Sequence, residues 1–173
     1  ALMDIIMGGP EGAKLVKDVA DSQINIYIRT AEINYCMRVN AGKINIEWIS
    51  TSSSDLSVTT IRSLRDEYIP FISLAHELAH ALSVIKGTYN EKEWCIGIQD
   101  NGTKIIATYD EIISTHWENK VRAEHNLPLR THYFYETGNA TLLLDTSGRS
   151  LYMDCFEDTN FQPIILDYWR YNY

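Results

Sequence analysis

The early part of the chain alternates apolar and polar residues, a pattern typical of β-strands. Ile24–Ile28 follows the period of two that a half-buried strand shows. Asn34–Val39 and Lys43–Ile49 predict two more strands, joined by a short connection at Asn40-Ala41-Gly42. Because the three segments follow one another closely, we expect them to form a small antiparallel sheet with each strand beside the next.

Further along, apolar residues recur every three or four positions, and this spacing predicts α-helices. A short helix is expected over Glu11–Ala20, and a long one over Phe71–Lys86, which contains neither proline nor glycine. Pro70 suits the first turn of the long helix, and Gly87 is a stop signal. A second long helix is predicted over Asp110–Asn126. The residues that put one face of the first long helix in the core are Leu74, Leu78, Ala81, Leu82 and Ile85.

Short strands are expected after each long helix. Trp94–Ile98 and Thr103–Thr108 flank Gln99-Asp100-Asn101-Gly102, and the Asn-Gly pair is a strong hairpin signal. The later segments expected as short strands or loops are Thr131–Tyr135, Thr141–Leu144 and Leu151–Cys155, followed by an aromatic tail, Asp167–Tyr173, that should pack on the body. This mixture predicts an α+β fold in which a small antiparallel sheet accompanies two long helices.

Length and composition narrow the class of protein. The 173 residues, 45% of them hydrophobic, suit one globular domain over residues 1–173. A net charge of -8 argues against nucleic-acid binding, which needs clustered Lys and Arg. No stretch approaches the roughly 18 to 20 apolar residues of a membrane span, so membrane insertion is not expected. Ala1–Met7 is apolar but has no basic segment or starting Met, and it resembles the cut edge of a longer protein more than a signal peptide.

Three cysteines, Cys36, Cys95 and Cys155, are scattered singly along the chain. An odd number at these spacings does not suggest a disulfide framework, so we expect partly buried thiols. A single disulfide among them stays open as an alternative.

The strongest chemical signal is the motif His76-Glu77-Leu78-Ala79-His80 inside the predicted long helix. Residues four apart on a helix lie on the same side, so His76 and His80 can offer two imidazole nitrogens to one zinc ion. Zinc lowers the pKa of a bound water towards about 7, and Glu77 can take that proton. The alternative is that the histidines lie on the surface or cap a polar group, but the full motif in an apolar-faced helix favours a zinc site.

A catalytic zinc ion needs a third protein ligand, which the motif does not supply. The predicted second helix offers several donors: Glu111, His116, Glu118, Glu124 and His125. The segment Glu111–Thr115 resembles the ligand segment of gluzincins, which implies Glu111 as the ligand and Thr115 at the position that orients a histidine. His116 and Glu118 stay open as alternative ligands. Asp110 or Glu118 could instead accept the second N–H of a zinc-bound imidazole.

The stretch Glu118–Tyr133 carries a more specific resemblance. It contains Glu-Asn-x-x-Arg-x-Glu followed by Leu-Pro-x-Arg-x-x-Tyr. With His-Glu-Leu-Ala-His-Ala upstream, it resembles the NleD-like effector metalloproteases over Phe71–Tyr133. The resemblance implies a zincin-like zinc endopeptidase, secreted or injected as an effector or toxin, that cuts a protein in the cytoplasm of a target cell. For a toxin domain it also implies an immunity protein as a partner.

Arg130-Thr131-His132-Tyr133 is similar to the Arg-x-x-Tyr pair of clostridial neurotoxin light chains. The similarity implies that Arg130 and Tyr133 stabilise the charged tetrahedral intermediate. The alternative is that Arg130 pairs with a carboxylate and Tyr133 fills core space. Arg122 is expected to be structural, bound to Glu118 one turn back.

These residues together predict a zinc endopeptidase. The predicted site combines His76, His80 and Glu111 as ligands of Zn2+ with Glu77 as the general base. Two other functions stay open: a zinc hydrolase acting on a non-protein amide of the cell wall, and a catalytically inactive zincin-like binding module.

Overall fold

Helices and short strands alternate in this computed structural model, which describes residues 1–40, 42–52, 57–60, 63, 66–98, 104–134, 141–144 and 150–152. The helices are α1 (Leu2–Gly8), α2 (Pro10–Ala20), α3 (Pro70–Lys86) and α4 (Tyr109–Glu124). The strands are β1 (Asn25–Thr30), β2 (Tyr35–Asn40), β3 (Lys43–Trp48), β4 (Ser57–Thr60), β5 (Asp66–Glu67), β6 (Glu93–Ile98), β7 (Lys104–Thr108) and β8 (Arg130–His132). The mixture of helices with small sheets agrees with the expected fold class.

The first sheet has the strand order β1-β3-β2, with β3 in the centre. β2 and β3 form the expected antiparallel pair, but β1 lies parallel to β3 and not beside β2. The prediction of a purely antiparallel sheet of sequential strands is therefore wrong for β1. The physical reason is burial: Ile44 and Ile46 of β3 are fully buried, so the most apolar strand is flanked on both sides.

α3 and α4 pack against each other and form the centre of the core. α3 begins at Pro70 and ends at Gly87, whose left-handed conformation (φ 70°) confirms the predicted stop signal. The buried core residues of the two helices include Leu74, Ala75, Leu78, Ala79, Leu82, Trp117 and Val121. Two of them, Ala75 and Ala79, flank the histidine motif, so the chain carries little bulk next to it.

The opening residues form α1, a helix that the hydrophobic pattern does not reveal because seven residues make only about two turns. Pro10 then starts α2 in the first-turn position that proline tolerates best. Ile5 of α1 and Leu15 of α2 are fully buried in the same core cluster as α3 and α4. Ile5 thus joins the opening segment to the core, while Leu2, Met3 and Met7 of the same segment are exposed.

The last turn of α4 holds the beginning of α2. The backbone N–H groups of Glu11 and Gly12 donate to the carboxylate of Glu124 at 2.5 and 2.9 Å. The first N–H groups of a helix have no partner within the helix, and a carboxylate placed there also interacts favourably with the positive end of the helix dipole. Lys120 adds an ion pair to Glu11 at 2.7 Å. Through these contacts α4 is joined to the N-terminal helices.

β6 and β7 form the expected antiparallel hairpin, although its turn, Gln99-Asp100-Asn101-Gly102, lies outside the described residues. β8 pairs with β4, and isolated bridges join His132 to Leu142 and Leu144 to Ser150. These pairings agree with short extended segments after the second long helix. The predicted tail, Asp167–Tyr173, also lies outside the described residues.

Cys95 is a free thiol that is partly exposed, in agreement with the expectation for it. The side chain of Cys36 and the whole of Cys155 lie outside the described part of the chain. Among the described residues, no helix has the length and apolar character needed to cross a membrane.

Ile5→Ala should lower the free energy of unfolding by about 2–4 kcal/mol, because it opens a cavity where α1 meets the core. Met7→Ala is the matched control: it truncates a neighbouring side chain that is 76% exposed and should change the free energy by less than about 0.5 kcal/mol. Urea denaturation followed by circular dichroism measures both. Equal losses in the two variants would contradict the packing of α1 described above.

Candidate metal centre

α3 carries the three polar side chains of the motif in a buried position. His76, Glu77 and His80 are each 6% exposed. The apolar face of α3 packs in the core, and α4 packs alongside the adjacent side of the helix. The motif residues are therefore covered by α4. Buried polar groups of this kind require partners, and α4 supplies most of them.

Glu111, in the first turn of α4, lies between the two imidazoles. Its Oε2 atom is 3.0 Å from Nε2 of His76 and 3.1 Å from Nε2 of His80. One donor atom from each of the three residues lies within 4.8 Å of the other two. This group could hold a metal ion, and it has the composition expected from the sequence.

The other nitrogen of each imidazole faces a second carboxylate. Nδ1 of His76 is 3.1 Å from Oε2 of Glu118, and Nδ1 of His80 is 2.6 Å from Oδ2 of Asp110. Ser114 also places its hydroxyl 3.0 Å from Nδ1 of His80. Asp110 and Glu118, between which the sequence did not choose, thus occupy equivalent places on different histidines. Such partners hold the Nδ1–H tautomer and leave Nε2 for an ion.

The carboxylates around the two imidazoles favour their protonated forms. Burial alone would lower the pKa of His80, but the charge of Glu111 and hydrogen bonds to Asp110 and Glu111 raise it to about 10. The pKa of His76 is also raised: burial opposes the charge, while hydrogen bonds to Glu111 and Glu118 outweigh it. A cation bound by both Nε2 atoms would replace one proton on each ring.

Asp110 supports the fit of a cation to this group. It is fully buried, and its Oδ1 atom has no hydrogen-bond partner among the described residues. A half-satisfied buried carboxylate is costly unless positive charge lies close by. Two imidazole nitrogens and one carboxylate oxygen also form a donor set of the kind found in zinc sites.

Glu118 lies behind His76 and takes no part in the three-donor group. Burial alone would raise its pKa, but the charges of Arg130 and Arg122 hold the pKa far below its ordinary value. Arg122 donates from Nε to Oε1 at 2.8 Å, as expected from the sequence, and Arg130 donates from Nη1 to Oε2 at 2.8 Å. Glu118 is therefore an ionised anchor for the Nδ1–H of His76.

His116 also lies away from the three donors, although the sequence left it open as a ligand. Its Nδ1 atom contacts the carbonyl of Ile112 and its Nε2 atom contacts the hydroxyl of Ser150. Burial, helped by the charge of Lys120, lowers the pKa of His116 to about 4, so this imidazole is neutral. Thr115 donates to the carbonyl of Glu111, and the contact with a histidine comes from Ser114 instead.

Glu77 differs from its neighbours because its carboxylate has no hydrogen bond among the described residues. Burial raises its pKa above the ordinary value, against the lowering effect of the two histidines. It also lines a pocket of about 250 Å³ that His76 and Tyr133 share. A buried, unpaired carboxylate next to an open pocket is suited to accept a proton from a bound water.

Arg130 and Tyr133 both lie beside the centre, but in different ways. Arg130 donates from Nε and Nη2 to the carbonyls of His132 and Tyr133 at 3.1 and 2.8 Å, in addition to its contact with Glu118. Its guanidinium also stacks 5.0 Å from the ring centroid of Tyr133. The Tyr133 ring stacks on His76 with 6.3 Å between centroids. Burial and the charge of Glu111 hold the pKa of Tyr133 well above its ordinary value, so its hydroxyl stays protonated.

Comparisons with protein-family models, with curated proteins and with solved structures gave no match. The resemblance to NleD-like effectors therefore stays a prediction from the motifs.

Glu111→Gln should reduce zinc affinity more than any other single change in α4, because it removes the only negatively charged donor of the three. Glu118→Gln should reduce it by about 10–100-fold, the usual effect of losing a partner of a metal-binding histidine. Competition against a chelating dye measures both affinities, and thermal unfolding checks that each variant is folded. Glu91→Gln removes the same charge from an exposed position and should leave zinc affinity unchanged. A larger loss in Glu118→Gln than in Glu111→Gln would make Glu118 the ligand.

Proposed function

We propose that this chain is a zinc-dependent endopeptidase domain, in which His76, His80 and Glu111 hold the ion and Glu77 is the general base. The observation that carries the proposal is the convergence of three metal-binding donors beside a buried carboxylate that has no other partner. Tetrahedral zinc with bonds of about 2.0–2.1 Å needs ligand atoms about 3.4 Å apart. The separations of 3.0 and 3.1 Å between the Glu111 oxygen and the imidazole nitrogens are close to that requirement.

Zinc held there would polarise the scissile carbonyl and make a water molecule acidic enough to deprotonate at neutral pH. Glu77 takes the proton of the attacking water, and its raised pKa makes it a stronger base than an exposed glutamate. It then passes this proton to the nitrogen of the leaving amine. The surrounding carboxylates on Nδ1 of each histidine keep the two imidazoles oriented while the proton moves.

We assign different roles to Arg130 and Tyr133. The protonated hydroxyl of Tyr133 is a donor next to the centre, which suits stabilisation of the negative oxygen of the tetrahedral intermediate. The donors of Arg130 are engaged by Glu118 and by two carbonyls, so it serves as a positioning residue. It orients Tyr133 through stacking and His76 through Glu118.

The proposed substrate is a protein in a target cell, reached by secretion or injection. This part rests on the motifs of Glu118–Tyr133 and on their resemblance to effector metalloproteases. An immunity protein that covers the centre would be the matching partner. A non-protein amide is the competing substrate, and a comparison of protein cleavage with peptidoglycan cleavage separates the two.

Glu77→Gln should keep zinc binding and lower cleavage by about 100-fold or more, because the variant cannot accept the proton of the attacking water. Zinc content is measured by elemental analysis, and cleavage is measured on a protein mixture and on purified peptidoglycan in parallel. Cleavage of protein only supports the proposal, and cleavage of peptidoglycan only replaces the substrate class. Equal cleavage by the two zinc-loaded preparations would overturn the role of Glu77.

Tyr133→Phe should lower kcat by about 100-fold and leave KM within a small factor, because the lost hydroxyl acts on the oxyanion and not on the ground state. The substitution keeps the ring that stacks on His76. Steady-state kinetics on one cleaved peptide provide the measurement, with zinc content as a control. A large rise in KM at constant kcat would show that Tyr133 only binds substrate.

A further inference from the structure

The pocket next to Glu77 has a wall that the proposed mechanism does not use. Its volume is about 250 Å³, and besides the residues of the centre it is lined by Asn34, Arg122 and the apolar side chains Val58, Ile69 and Ile72. A side chain of a bound substrate that enters this space lies close to the bond that Glu77 helps to break. Its lining is therefore in a position to select one residue of the substrate.

Asn34 presents a hydrogen-bond donor to the pocket. Its Oδ1 atom accepts the backbone N–H of Ile49 at 2.9 Å and the hydroxyl of Tyr68 at 3.2 Å. Because a backbone N–H can only donate, these contacts define which end of the amide is oxygen. The amide nitrogen of Asn34 is left without a partner among the described residues, and Asn34 lines the pocket.

Arg122 presents a second donor at the same pocket. Its Nε atom donates to Glu118 and its Nη1 atom donates to the carbonyl of Pro128 at 3.2 Å. The third nitrogen, Nη2, has no partner among the described residues, although Arg122 is only 2% exposed and lines the pocket. A guanidinium nitrogen that has no partner in the protein can donate to an acceptor bound in the pocket.

Two guanidinium groups meet at this pocket around one carboxylate. Arg122 and Arg130 both pair with Glu118, and no other carboxylate among the described residues forms an ion pair with either guanidinium. Two positive groups thus share one negative group. Glu77 also lines the pocket, on the side of the metal-binding residues.

We propose that this pocket binds an acidic side chain of the substrate, adjacent to the scissile bond, with Asn34 and Arg122 as its hydrogen-bond donors. The inference rests on the proposed peptidase function. An ionised carboxylate only accepts hydrogen bonds, so it satisfies both donors at once. The ammonium group of a lysine can only donate hydrogen bonds, so it cannot pair with the nitrogens of Asn34 and Arg122. An aliphatic side chain would leave both of these donors unpaired. The apolar wall suits the methylene groups of a glutamate.

Digestion of a diverse peptide mixture by the zinc-loaded protein tests the selection directly. Mass spectrometry of the products reports which residues occur on each side of the cut. We expect Asp and Glu to be enriched at one position next to the scissile bond. Enrichment of apolar or basic residues at the adjacent positions, with no acidic preference, would overturn the proposal.

A pair of synthetic peptides that differ only by Glu or Gln at the selected position gives the quantitative test. The wild-type protein should cleave the Glu peptide with a kcat/KM about tenfold higher, roughly the contribution of one charged hydrogen bond. Asn34→Asp keeps an oxygen for Ile49 and Tyr68 but replaces the donor by a negative oxygen, so the Glu preference should disappear. Gln23→Glu adds the same charge at an exposed position outside the pocket and should keep the preference.

Binding measurements separate this inference from the peptidase function. Alanine pentapeptides with a central Glu or Gln are titrated into zinc-loaded Glu77→Gln protein, and NMR chemical shifts report the affinity without any turnover. The Glu peptide should bind about tenfold more tightly, and Asn34→Asp in the same background should remove the difference. Equal affinities would overturn the pocket assignment. A tenfold difference in a protein that cleaves nothing would keep the pocket and overturn the peptidase.

Discussion

Two buried imidazoles and the carboxylates that face them organise the contact between α3 and α4. Each histidine has a carboxylate at both of its ring nitrogens: Glu111 at the two Nε2 atoms, and Glu118 or Asp110 at the Nδ1 atoms. In a buried setting this arrangement is stable only while positive charge balances the acids. Protons on the imidazoles or a bound divalent cation can supply that charge. The protonated and cation-bound forms would therefore keep the same contacts at the Nδ1 atoms and differ only in what the Nε2 atoms bind.

The chain stabilises the two histidines by different means. Asp110 is fully buried, and it faces His80 with one oxygen while the other has no partner among the described residues. Glu118 is held by two guanidinium groups, so its charge is balanced from behind before it meets His76. As a result, the orientation of His76 depends on Arg130, a residue of the strand that follows α4. This dependence links the loop that carries Tyr133 to the geometry of the centre.

Local patterns in the sequence predicted most of the helical scaffold. Pro70 and Gly87 bound the motif helix as expected, because the chemistry that starts and stops a helix involves neighbours in the chain. The spacing of His76 and His80 likewise determines that they share a face. The resemblance of Glu111–Thr115 to gluzincin segments pointed to Glu111, and the structure brings that carboxylate to both imidazoles.

Other features depend on contacts between distant residues, and no local pattern encodes them. The parallel pairing of β1 with β3 follows from the burial of Ile44 and Ile46, not from the order of the strands. His116 and Glu118 could not be separated from Glu111 by sequence because all three are on one predicted helix. Their difference arises from Ser150 and Arg130, which approach α4 from later parts of the chain. The pocket donors Asn34 and Arg122 are likewise 88 residues apart in the sequence.

The two ends of α4 make contacts of different kinds, and the helix joins them. Glu111 in its first turn faces the imidazoles, while Glu124 in its last turn accepts the first N–H groups of α2. A ligand that binds only the folded state stabilises every element that must unfold with its site. An ion bound at the first turn of α4 would therefore also oppose fraying of α2, which is held at the last turn. The chain's opening helices and its metal centre would then unfold as one cooperative unit.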